Sequence, residues 1–165
     1  MNICFLLIGG NDGDRRGNLA KALENIEGSG GRILRRSSLY ETAPWGKADQ
    51  NDFLNQAVQV QTSLDAPSLM EELLKIEEKM GRRRLEKYGS RIIDLDILFF
   101  NDAIIDSPRL IVPHPEIQNR RFVLAPMEEI APGYIHPVLH TSIRELLAIC
   151  PDKLEVKKVD TTDGY

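Results

Sequence analysis

Apolar and polar positions along the chain follow two distinct rhythms. Asn2 to Ile8 is a nearly continuous apolar run of strand length that Gly9 and Gly10 bring to a stop, as expected of a central strand. From Asn18 to Glu27 the period lengthens, with Leu19, Ala22, Leu23 and Ile26 at helical spacing before GSGG ends the run. Arg32 to Tyr40 predicts a second strand. Phe53 to Thr62, with Leu54, Ala57 or Val58, and Val60 as its apolar positions, predicts a third. ETAPWGKADQN, between them, reads as a long loop. Asp65 and Pro67 stand as N-cap and first-turn proline of a helix running to about Met80, striped by Leu69, Met70, Leu73, Leu74, Ile76 and Met80.

RIIDLDILFF, residues 91 to 100, departs from this order. Read as a strand of period two, it points Ile93, Leu95, Ile97 and Phe99 one way, and Ile92, Asp94, Asp96, Leu98 and Phe100 the other. Asp94 and Asp96 therefore share a face, where two anions about 7 Å apart repel by roughly 2 to 3 kcal/mol at an effective dielectric of about 20. FFNDAII then predicts a tight turn at Asn101 and Asp102, with an antiparallel strand returning toward Leu110 and Val112. Residues 120 to 131 and 141 to 149 predict two more helices, and the polar tail from about Val156 is expected to fray.

The order of elements matches the ferredoxin-like split βαβ plan of the α+β class, a mostly antiparallel sheet with helices packed on one face. At 165 residues a single domain spanning 1 to 165 is expected.

A formal charge of -4 argues against a general nucleic-acid binder, so any cationic site must be local. Cys4 and Cys150 form neither a disulfide framework nor a zinc pattern, which fits a reducing, cytoplasmic setting. The apolar start lacks the flanks of a signal peptide and is too short to span a bilayer. No membrane or nucleic-acid partner is expected, and the chain is expected to be a monomer.

Three constellations could carry chemistry. Asp94 and Asp96, with Glu77 nearby in sequence, offer hard oxygen donors of the kind Mg²⁺ uses alongside substrate phosphates. A salt bridge to Arg91 or another arginine accounts for the pair equally well. Arg82, Arg83, Arg84, Lys87 and Arg91, joined later by Arg109, His114, Arg120 and Arg121, suit a polyphosphate, although a solvated basic loop would read the same way. Thr42, Ala43, Pro44, Trp45, Phe53, Asn55 and Phe122 combine rings and amides that suit a flat heteroaromatic. No GxxxxGK[ST] loop is present, and His136 and His140, separated by Pro137, read as surface histidines rather than zinc ligands.

GGN after the first strand, TAPWG, FLNQAV, IEEKMGRRR, RIIDLDILFF and LIVPHPEIQNRRFVLAPMEEIAP resemble, in order and spacing, the 6-hydroxymethyl-7,8-dihydropterin pyrophosphokinases of folate biosynthesis. The matches run from about residue 5 to 132. The resemblance implies transfer of the pyrophosphoryl group of ATP to the pterin hydroxymethyl oxygen, with release of AMP. It implies that Asp94 and Asp96 hold two Mg²⁺ ions, and that Glu77, Arg82, Arg84, Arg91, Arg109, His114 and Arg120 surround ATP. Arg82 and Arg91 would join the two aspartates in catalysis. Thr42, Ala43, Trp45, Phe53, Asn55 and Phe122 would line the pterin pocket with Asp94 at its mouth, and residues 81 to 91 would close as a lid. Where the family often has Gly-Ser-Asn, a tryptophan and a tyrosine, this chain has Gly9-Gly10-Asn11, Tyr88 and Phe53, in a lid one residue shorter. A non-catalytic nucleotide-binding module of the same fold is the competing reading. RNA binding through the arginines is disfavoured by the acidic whole and by the missing RNP-type aromatics.

Overall fold

The computed structural model describes residues 1–44, 50–81 and 90–159. Its centre is β1 (Asn2–Gly10), flanked by β4 (Phe53–Thr62) and β5 (Asp94–Phe100), both antiparallel to it. β3 (Tyr40–Thr42) and β2 (Arg32–Arg36) pair in turn with β4, and β8 (Val156–Lys158) pairs with β3. The main order is β5-β1-β4-β3-β8, the ferredoxin-like arrangement with one strand added at its end.

Helices cover both faces of the sheet rather than one. α1 (Arg15–Gly28) and α2 (Ala66–Lys79) bury Leu19, Leu23, Ile26, Leu69, Leu73 and Ile76 against Leu6, Ile8, Val58 and Leu95. α3 (Arg121–Ile130) and α4 (Ile143–Ala148) bury Val123, Leu124, Met127 and Leu146 against Phe5, Leu7 and Ala57 on the opposite side. β1 is apolar on both faces because both are covered, which is why its sequence runs without alternation.

Several boundaries differ from the sequence reading. Gly9 and Gly10 do not stop β1 but belong to it. The predicted second strand breaks in two at Ser37, whose hydroxyl accepts the Ala57 N–H at 3.0 Å in place of a backbone carbonyl. β5 does not alternate strictly. Phe5 pairs with Phe99 but Leu6 pairs with Ile97, so Leu98 is an extra, bulged residue. Beyond it Phe99 joins Leu98 in the α3 layer and Phe100 joins the α1–α2 layer, the reverse of the expected faces. The chain does turn at Asn101, yet the returning segment forms its own ribbon of β6 (Ile105–Asp106) and β7 (Ile111–Val112). The tail does not fray at Val156, because β8 is paired there.

Candidate active site

Asp94 lies opposite Gly9 and Asp96 opposite Leu7, so both carboxylates leave the sheet on the α3 face, half-buried. Gly9 is in turn opposite Asn55, and Asn55 opposite Tyr40. One row across the sheet thus reads Asp94, Gly9, Asn55, Tyr40, with two inter-strand spacings, about 10 Å, between the strands of Asp94 and Asn55. Gly9, with no side chain, lets the Asn55 side chain lie directly over its backbone. A Cβ there would overlap the Asn55 amide oxygen. The sequence signal was present in the double glycine, but it marks a close approach inside a strand rather than a turn.

The neighbouring row sets Thr42 opposite Phe53. Thr42 is buried, and its hydroxyl has no hydrogen-bond partner among the described residues. A buried hydroxyl left this way costs about 1–3 kcal/mol, so it marks a place where a polar ligand atom would be welcome. Phe53, two residues before Asn55, shares that face and is half-buried. Ala43 is exposed just beyond β3.

Opposite these strands, the first turn of α3 carries Phe122, half-buried, with the Arg120 guanidinium 5.8 Å from its ring centroid. His114 sits alongside. Its ring Nδ1 accepts the Glu116 N–H at 3.2 Å, which leaves the proton of the neutral ring on Nε2. Burial, then the Arg120 charge, hold its pKa below the ordinary histidine value, while the Asp94 and Glu116 carboxylates pull the other way. Arg120 and Asp94 therefore both stand within electrostatic reach of His114. Arg109 is exposed on the turn between β6 and β7.

Two residues organise the approach to β5. Asn11 is buried at the end of β1. Its backbone N–H donates to the Arg91 carbonyl at 2.9 Å, and its side-chain oxygen accepts the Arg91 N–H at 2.8 Å. Its amide nitrogen donates to the Asn51 carbonyl at 3.0 Å. One side chain thus fixes both Arg91 and the chain entering β4.

Glu77 is the second. It is 3% exposed, in the last turn of α2, and its Oε2 accepts the Leu95 N–H at 2.6 Å. Leu95 stands between the two aspartates on β5, the end strand of the main order, so Glu77 bonds the backbone of the strand that presents them. A charge-assisted hydrogen bond offsets the unfavourable end of the helix dipole.

Among the described residues no three His, Cys, Asp or Glu side chains converge. Asp94 and Asp96 alone offer two hard oxygen donors, the set that suits Mg²⁺ when phosphate oxygens and water complete its shell. His136 is buried rather than on the surface, and its Nδ1 accepts the Val138 and Leu139 N–H groups at 3.2 and 3.1 Å. Trp45, Arg82, Arg84 and most of the expected lid lie outside the described residues. No described helix is long and apolar enough to cross a membrane.

Residues 5–132 match the family model described as 7,8-dihydro-6-hydroxymethylpterin-pyrophosphokinase. A 2-amino-4-hydroxy-6-hydroxymethyldihydropteridine pyrophosphokinase of Methylorubrum extorquens is 40% identical over 149 residues, covering 90% of this chain and 93% of that one. The protein of the same name from Bacillus subtilis is 44% identical over 130 residues, 78% of each chain. Among solved structures, the Plasmodium falciparum HPPK-DHPS crystallised with pterin and p-hydroxybenzoate superposes with a TM-score of 0.73 at 25% identity. That match covers 89% of this chain and 42% of the other.

Proposed function

This chain belongs to the 7,8-dihydro-6-hydroxymethylpterin-pyrophosphokinase family, and from that premise we propose what its residues do. The reaction is transfer of a pyrophosphoryl group from ATP to hydroxymethyldihydropterin, in folate biosynthesis. AMP leaves as the second product.

The row Asp94, Gly9, Asn55 is the observation that carries the assignment of roles. A flat pterin would meet the Asn55 side chain that Gly9 accommodates, with its amide offering both a donor and an acceptor to the ring's polar edge. The unpartnered Thr42 hydroxyl supplies a further contact. Phe53 and Phe122 provide ring faces for stacking, and Ala43 and Trp45 the rim. The hydroxymethyl arm then extends toward Asp94, at the far end of the row.

Asp94 and Asp96 would hold two Mg²⁺ ions. When bound, these neutralise phosphate charge and lower the pKa of the attacking hydroxyl. His114, within reach of both Asp94 and Arg120, would donate its Nε2–H to phosphate oxygens, and Arg120 its guanidinium. Arg91, Arg82, Arg84 and Arg109 would add guanidinium forks, with Arg82 and Arg91 on the charge that develops during transfer. Glu77 serves the nucleotide side by holding Leu95, the residue between the two aspartates. Closure of residues 81 to 91 would exclude water, which competes with the acceptor hydroxyl.

Incubation with ATP, Mg²⁺ and 6-hydroxymethyl-7,8-dihydropterin should give AMP and the pterin diphosphate in equal amounts. ADP as the nucleotide product would overturn pyrophosphoryl transfer. Full activity in the presence of excess EDTA would overturn the metal assignment.

A further inference from the structure

The helix that carries Phe122 has no cap of its own. Arg120 occupies the N-cap position of α3 and offers no side-chain acceptor to the first-turn N–H groups. The acceptor comes from Asp152, 31 residues beyond Arg121, whose Oδ2 takes the Arg121 N–H at 3.0 Å. Its Oδ1 takes the Leu154 N–H at 2.9 Å, so one carboxylate joins the start of α3 to the start of the closing segment. That segment then becomes β8, where Val156 pairs with Thr42, and beyond it the Val159 N–H reaches the Leu39 carbonyl at 2.8 Å. The run from Asp152 to Val159 therefore bridges the helix bearing Phe122 and the strand bearing Thr42.

We propose that Asp152 is a positioning residue for the acceptor pocket. By capping α3 and anchoring β8 it fixes the separation of Phe122 from Thr42, and so the fit of the flat ring between them. The proposal rests on the pterin reading of that pocket. An acidic side chain suits the position because the partial positive charge at a helix start favours an anion. The opposite end of α3 is held from outside as well, since Arg35 donates to the Ile130 carbonyl at 2.9 Å and Glu129 accepts from the Tyr40 hydroxyl at 2.6 Å. A helix pinned at both ends by distant residues is placed by them, and a change at one pin shifts its first turn.

Asp152→Ala removes both bonds, whereas the asparagine of Asp152→Asn, with a single acceptor oxygen, can keep the cap on Arg121 only by giving up the bond to Leu154. In Asp152→Ala the KM for the pterin should rise by about tenfold while the KM for ATP stays within about twofold, the scale of one lost cap. Asp152→Asn should place the pterin KM between those of the unmodified enzyme and the alanine variant. Amide hydrogen exchange at Arg121 and Phe122, which does not depend on activity, should quicken most in the alanine variant. Unchanged exchange in Asp152→Ala, an unmoved pterin KM, or both KM values rising together would overturn the proposal. Unmodified protein that takes up no pterin would instead remove the parent reading, and this proposal with it.

Discussion

α2 and α3 lie on opposite faces of one sheet and are bounded in opposite ways. α2 begins at its own cap: Asp65 accepts the Ser68 N–H at 2.9 Å, a bond that holds its carboxyl below the usual range, and a proline follows in the first turn. α3 begins at an arginine and takes its cap from Asp152. The scaffold helix states its limits locally. The helix beside the site gives up that local signal, and Arg120 and Phe122 occupy the positions a capping sequence would otherwise fill. Positions given over to ligand contacts are thus stabilised from elsewhere in the chain, as expected where chemistry competes with local preference.

The largest effect that would test this division is on the site face. Asp94→Ala or Asp96→Ala should lower turnover by at least about a thousandfold, roughly 4 kcal/mol of barrier, while thermal denaturation shows a fold of near-normal stability. Turnover close to normal in either variant would break the division. On the scaffold face the balance should invert. Leu73→Ala, in a fully buried position, should cost about 2–5 kcal/mol in urea unfolding, yet the molecules that remain folded should keep their KM values.

Between these lies Gly9→Ala. Its Cβ would displace the Asn55 side chain, so pterin affinity should fall far more than ATP affinity in direct binding measurements. A smaller contrast sharpens the comparison of the helices themselves. Asp65→Ala should lower the melting temperature by a few degrees and leave the pterin KM alone, whereas Asp152→Ala should move that KM.

The smallest effect is a pH dependence. Burial lowers the His136 pKa, with His140 adding to the effect, and burial followed by the Arg120 charge lowers that of His114. Each folded pKa lies below the unfolded one of about 6.5, so the unfolded chain binds more protons. Stability from both groups is complete above that pH and is lost as pH falls through it toward the folded values. Melting temperatures taken from pH 8 to pH 5 should show the decline. Substituting His136 with Asn should flatten the slope while retaining an acceptor for the two turn amides.

Much of this was legible in the residues. The apolar periods located β1, β4, α2 and the strand bearing Asp94 and Asp96, and Asp65 with Pro67 marked the start of α2. What escaped depends on contacts distant in sequence. Glycine reads locally as a breaker, so Gly9 and Gly10 suggested the end of β1, but the reason for Gly9 is the Asn55 side chain on a neighbouring strand. Glu77 showed in the sequence as a carboxylate in the last turn of α2, but its bond to the Leu95 N–H joins residues 18 apart that no local pattern pairs. The polar composition of Val156 to Lys158 suggested fraying, although backbone pairing to β3 requires no apolar side chains. Asp152 carried no local signal, since its partner is 31 residues away.

The bulge at Leu98 has consequences for length change in this part of the chain. It divides β5 into two halves that answer to different neighbours, the first to the chemistry and the second to the ring cluster of Phe5, Phe99 and Tyr134. Losing one residue before Leu98 would turn Asp94 or its replacement toward the apolar layer of α1 and α2. Losing Leu98 itself would remove the bulge and leave Phe99 opposite Phe5 and Phe100 opposite Cys4, with the aspartates and both phenylalanines on their present faces. Deletion should therefore be tolerated at Leu98 and at almost no position before it, and a library that varies length rather than identity would show it.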